Sequence, residues 1–183
     1  MKHFQNLLQA LIIGFLFSGG SLAWSQVTVS GSQIESVQPP IEYSLKDVEI
    51  GLERTVCFGT CPSYTLRIFG DGRVIYEGRQ FVRVTGTREY TIDKSNVLNI
   101  LRQLYVVDFF NMPDLYMGPI MIGEKNGIIS TGHTRSTDLP TLTVRVRIGQ
   151  YEKQARHEYW GTSDLLNLME LIDRESGAEQ WIK

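Results

Sequence analysis

Cysteine is the scarcest reactive group in this chain. Its 183 residues carry two, Cys57 and Cys61, four positions apart. Histidine is nearly as rare, at positions 3, 133 and 157. With no second cysteine pair, a structural zinc site lacks its usual ligands. Charge of one sign is also missing. Twenty acidic residues face eighteen basic ones, the net charge is −2, and no run of like charges occurs. That removes the electrostatic case for binding nucleic acid or an anionic membrane. No Gly-x-Ser-x-Gly elbow is present, and no glycine loop stands between a strand and a helix as a phosphate cradle would. Repeats and low-complexity tracts are absent. One domain is the expectation from length and composition.

Long apolar runs are absent too, and the one short run lies at the start. Lys2 and His3 precede an apolar stretch from Leu7 to Phe17, broken only by Gln9. Ser18-Gly19-Gly20-Ser21 ends it, and Ala23 and Ser25 supply small residues ahead of a cut between Ser25 and Gln26. This is a secretory signal pattern, too short to span a bilayer. Residues 1–25 are therefore read as a signal peptide, with no transmembrane segment after cleavage. Residues 26–45 form a flexible leader, with Ser30-Gly31-Ser32 and Pro39-Pro40. Residues 46–183 form a single α+β domain, exported to the periplasm or beyond.

Within the domain, hydrophobic period decides the elements. Val48 to Thr55 alternates as a first strand. Tyr64, Leu66 and Ile68 alternate with polar neighbours, and Val74 and Tyr76 continue after Gly70-Asp71-Gly72. Asp71-Gly72 predicts a two-residue hairpin turn with both residues at positive φ. Gly78 ends the second strand, and Phe81–Val84 and Thr87–Ile92 read as another strand pair. Asp93 caps a helix whose stripe is Val97, Leu101 and Leu104. Met117 to Pro140 shows no periodicity and reads as a long loop. Leu142, Val144, Val146 and Ile148 mark a strand that turns at Gly149-Gln150 into Tyr151–Tyr159. Leu165, Leu168, Met169 and Ile172 mark a last helix, ended by Gly177, with Trp181 folding back as an apolar plug. The expected architecture is an antiparallel sheet with two helices on one face.

Cys57-Phe58-Gly59-Thr60-Cys61-Pro62 carries the most chemistry. Two cysteines four apart can be brought within disulfide range by one turn, and export favours their oxidation. A structural disulfide is the leading reading. The alternative is thiol redox or copper chemistry, since Cys-x-x-x-Cys-Pro resembles the copper-binding motif of Sco-type copper chaperones. Two thiolates suit Cu(I), with His133 or His157 as a third ligand. His157, alone in a strand, reads as a surface or interface residue. Ser130, Ser136, His133 and Asp138 include the groups a hydrolase needs, joined only by closeness in sequence. No catalytic, metal or cofactor residue is assigned.

The stretch Arg54 to Pro62 resembles a family known as DUF6438, a domain of unknown function. The similarity continues through Tyr64–Gly72, Val74–Gly78, Thr137–Pro140, His157–Gly161, Ile172-Asp173 and Trp181. The resemblance covers roughly Val48 to Trp181. It implies bacterial origin and frequent export, but no activity and no site residues. The function expected first is a non-catalytic envelope module that binds an unidentified protein or small ligand; the alternatives are a thiol redox or copper-handling protein using Cys57 and Cys61, and then an enzyme of unrecognised type. The isoleucines of the Met117–Pro140 loop are expected first to tuck under the sheet edge; the second reading makes part of the loop a contact surface for a partner.

Overall fold

The computed structural model describes residues 38–134, 138–157 and 162–183. The expected signal peptide and its cut, most of the leader, Ser136, Thr137 and the stretch 158–161 lie outside the described residues. The elements are β1 (Val48–Arg54), β2 (Ser63–Phe69), β3 (Arg73–Gln80), β4 (Gly86–Thr91), α1 (Lys94–Val106), β5 (Leu115–Tyr116), β6 (Ile120–Lys125), β7 (Ile128–His133), β8 (Leu142–Ile148), β9 (Tyr151–His157), α2 (Ser163–Glu175) and α3 (Glu179–Ile182). Seven strands form one sheet in the order β4-β3-β2-β1-β8-β9-β5, and β6 and β7 form a second sheet of two. The fold is α+β, as expected. No helix among the described residues is long and apolar enough to cross a membrane.

Antiparallel register explains the core. It pairs Ile50 with Ile68 and Val146, and Leu52 with Leu66 and Val144. Partners directly opposite share a face. Val48, Ile50 and Leu52 of β1, Tyr64, Leu66 and Ile68 of β2, Val74 and Tyr76 of β3, and Leu142, Val144, Val146 and Ile148 of β8 therefore all point one way, and they are buried. Val97, Ile100, Leu101 and Leu104 of α1 and Leu165, Leu168, Met169 and Ile172 of α2 join the same cluster. The helices thus cover one face, and each fully buried aliphatic side chain contributes about 1.5–3 kcal/mol. Thr162 caps α2, its side chain accepting from the Leu165 N–H. Gly177 ends it at φ 72°, where a left-handed residue costs glycine least. Trp181 does fold back: its ring packs on Tyr76 and Tyr90, and its carbonyl accepts from Val84 N–H.

Three local expectations are corrected. The β2–β3 turn is not a two-residue turn: Gly72 N–H donates to Phe69 carbonyl, and of Asp71 and Gly72 only Gly72 has positive φ. The longer turn leaves Gly70 room to sit against the Leu45 carbonyl, which a Cβ would meet at 1.6 Å. Next, Phe81–Val84 is not a strand. β3 runs on to Gln80 and β4 pairs with it, Gly78 lying opposite Gly86. Finally, Met117–Pro140 is not a structureless loop. It holds the β6–β7 hairpin, closed by Asn126 (φ 55°) and Gly127 (φ 75°), the paired positive angles a two-residue turn requires. The sheet is also mixed, because β5 pairs parallel to β9.

Candidate functional site

The register gathers one end of the large sheet. β1 leaves it at Arg54, opposite Leu142 where β8 enters. Leu142 lies opposite His157, the last residue of β9, and His157 opposite Tyr116 of β5. Tyr64, at the start of β2, lies opposite Arg54 and Gly78. The cysteine loop therefore springs from the same end as the two stems of the β6–β7 hairpin.

Cys57 and Cys61 are joined by a disulfide with Cα atoms 5.5 Å apart. Thr55 N–H donates to the Thr141 carbonyl and Phe58 N–H to the Asp138 carbonyl, so the loop is laid along the chain entering β8. Beneath it Tyr64 Oη lies 2.6 and 2.7 Å from the two Asp173 carboxylate oxygens, and Arg54 Nη2 donates to the same carboxylate at 3.1 Å. Burial raises the Asp173 pKa, against the opposing pull of Arg54 and Tyr64. Burial, and then the Asp173 charge, pushes the Tyr64 hydroxyl well up. Arg54 Nε is buried with no acceptor among the described residues. This cluster ties α2 to the end of β1 and the start of β2, between which the disulfide loop runs.

On this base the end of the sheet is apolar and exposed. Phe58 is 89% exposed, and Val56, Leu115 and Met117 are exposed as well. Ile120, Met121, Ile122, Ile128 and Ile129 of the hairpin are 61–73% exposed. Among the described residues, nine of the fourteen exposed large hydrophobics thus belong to this end. The hairpin isoleucines do not tuck under the sheet. Its stem is closed by Thr134 N–H donating to the Pro119 carbonyl, and a Cβ on Gly118 would come within 2.4 Å of the Thr134 carbonyl.

The other candidates fall in separate places. His133 Nδ1 is 2.7 Å from the Gly118 carbonyl and belongs to the stem. Ser130 Oγ donates to the Gly123 carbonyl. Three residues apart on one strand, Ser130 and His133 point to opposite faces. Asp138 lies beside the disulfide loop instead. His157 is buried rather than at the surface, because its position in β9 shares the covered face with Ala155; burial lowers its pKa below the ordinary 6.5. The cysteine sulfurs are bonded to each other, and no group of three His, Cys, Asp or Glu side chains among the described residues is placed to hold a metal ion.

The family model for a domain of unknown function, DUF6438, matches residues 48–176. The chain belongs to the DUF6438 family. The match runs from the first residue of β1 to the end of α2, so the disulfide loop, the hairpin and the buried Asp173 all lie within the DUF6438 domain. No curated protein matches the chain.

Sequence reasoning missed the hairpin, although Asn126-Gly127 is the turn signal that marks it. Its strands lack alternation because neither face is buried.

Proposed function

We propose that this DUF6438 chain is an exported, non-catalytic binding module whose apolar sheet end takes an extended segment of a partner protein. Export is supported by the signal pattern of residues 1–25 and by a disulfide, which persists in oxidising compartments. The observation that carries the binding reading is the concentration of exposed Phe58, isoleucine and methionine side chains at one end. Apolar patches of that kind mark contact surfaces. Among the described residues the hairpin pairs only with itself, so each of its strands keeps one backbone edge without a partner strand there. A partner strand can pair with such an edge, whereas lipid tails would leave its N–H and C=O groups unsatisfied.

The test replaces residues 120–133 with a short Gly-Ser linker and places a photo-crosslinking residue at position 58. The parent chain, processed to begin at Gln26 by intact mass, should give a discrete protein adduct in the envelope fraction. The shortened chain should fold with an unchanged thermal transition and lose that adduct. Persistence of the adduct in the shortened chain would overturn the reading, as would binding of the parent to phosphatidylcholine vesicles.

A further inference from the structure

Among the described residues nothing covers the face of the sheet away from the helices, and its side chains form a grid set by the register. Gly51 is at its centre, opposite Arg67 on β2 and opposite Arg145 on β8. Glu49 and Glu53 lie two residues to either side of it on the same face. A residue without a side chain between two arginines opens a trough of about 280 Å³, with Thr65 and Thr143 in its walls.

The charges along this trough are unequally shared. At one end Arg67 Nε donates to Glu49 at 2.8 Å, and Arg147 Nη2 donates to the other oxygen of the same carboxylate. Two guanidinium groups share one carboxylate there. Burial opposes ionisation of Glu49, yet the hydrogen bonds from Arg67 and Arg147 outweigh it and hold its pKa below the ordinary 4.5. At the other end the ratio is reversed. Arg79 reaches Glu53 at 3.0 Å and Glu77 at 3.9 Å, one guanidinium between two carboxylates. Arg145, in the row of Gly51, reaches Glu152 at 3.3 Å, and Glu152 of β9 stands opposite Arg147, so toward the Glu49 end three guanidinium groups face two carboxylates, Glu49 and Glu152. The trough therefore has a cationic end, a bare glycine floor and an anionic end. The Cα atoms of Glu49 and Glu53 are about 13 Å apart at ordinary strand rise.

We infer that the Gly51 trough binds a linear zwitterion, its carboxylate on Arg67 and Arg147 and its ammonium on Glu53. A C-terminal lysine of a peptide, or a free ω-amino acid, has this chemistry: two opposite charges at the ends of an aliphatic chain. Each guanidinium carries five N–H donors, so the two arginines can hold a second carboxylate beside Glu49. The aliphatic chain lies over the Gly51 backbone, whose own polar groups are used within the sheet. The trough does not depend on the apolar sheet end.

Calorimetry with ω-aminohexanoate and ω-aminooctanoate, against hexanoate and hexylamine, tests the inference. The better-fitting zwitterion should bind about tenfold or more tightly than either singly charged probe, and added salt should weaken it. Gly51→Val fills the trough from its floor. A Cβ there meets nothing closer than Arg145 Cβ at 3.7 Å, and a β-branched residue suits a strand, so the variant should fold and lose binding. Glu53→Gln, at an exposed carboxylate, should bring the zwitterion down to the affinity of hexanoate. Equal binding of zwitterion and singly charged probes by the parent chain would overturn the inference. So would full affinity in Glu53→Gln, a result that stands whether or not Gly51→Val folds.

Discussion

Two hairpins of this DUF6438 domain close at an Asx-Gly pair, and they have little else in common. β2–β3 alternates strictly, with Leu66, Ile68, Val74 and Tyr76 buried against the helices. β6–β7 has isoleucines at adjacent positions and is exposed along its whole length. The β2–β3 turn is wedged among neighbours: the Gly70 N–H donates to the Val48 carbonyl, and Ile92 N–H donates to the Gly72 carbonyl. The β6–β7 turn is closed locally, with Gly127 N–H donating to the Glu124 carboxylate, and a Cβ on Gly127 would meet nothing within 4 Å. Alternation is thus the imprint of a one-sided core, not of strand formation. A strand pair can be held by turn chemistry and a closed stem, and its apolar residues are then left for another surface.

The comparison breaks most visibly under truncation. Leu66→Ala should cost about 2–5 kcal/mol of unfolding free energy, because it leaves a cavity between sheet and helices. Ile122→Ala should stay within about 0.5 kcal/mol, since it removes nothing from the core. Urea midpoints of the two variants measure this; an equal loss in both would mean that the hairpin is part of the cooperative core.

The turn glycines give a smaller contrast. Gly72→Ala puts a Cβ 2.5 Å from the Ile92 carbonyl at φ 94° and should cost about 2 kcal/mol or more. Gly127→Ala meets nothing within 4 Å, so its strain at φ 75° stays in the hairpin. The global midpoint should move by less than about 0.5 kcal/mol. Hydrogen exchange would show faster opening confined to residues 120–133.

The smallest effect separates the large sheet by pH. Burial keeps His157 neutral, with its pKa below 6.5. The unfolded chain then binds a proton more readily than the folded one. The contribution of His157 is complete above about pH 6.5 and is lost as pH falls toward the folded pKa. Asp173 has the opposite sign. Its pKa is raised by burial above 3.8, so its cost is relieved only as pH drops toward that value. Urea midpoints between pH 7 and about 5.5 should fall in the parent chain, and His157→Gln should flatten that slope. A slope that stayed the same in His157→Gln would show that His157 does not set it.

Much of the fold was legible because buried faces impose a period on the chain. Alternation at 64–68 and 142–148, the stripe at 97, 101 and 104, and the stripe from 165 to 172 each correspond to an element of the core. The disulfide was legible for a local reason, since four residues suffice to bring two cysteines together. Partner choice was not legible. Nothing in Thr87–Ile92 says that it adds to the free edge of β3 rather than to Phe81–Val84. His157 looks like a surface histidine until β9 is placed in register with Leu142. The apolar end and the Gly51 trough belong to the same class. Phe58 and Ile122 share an end, and Arg67, Gly51 and Arg145 share a row, only because the strands are paired in that register. Hydrophobic period is written along the chain, whereas neighbours across strands are chosen by the free energy of the assembled sheet.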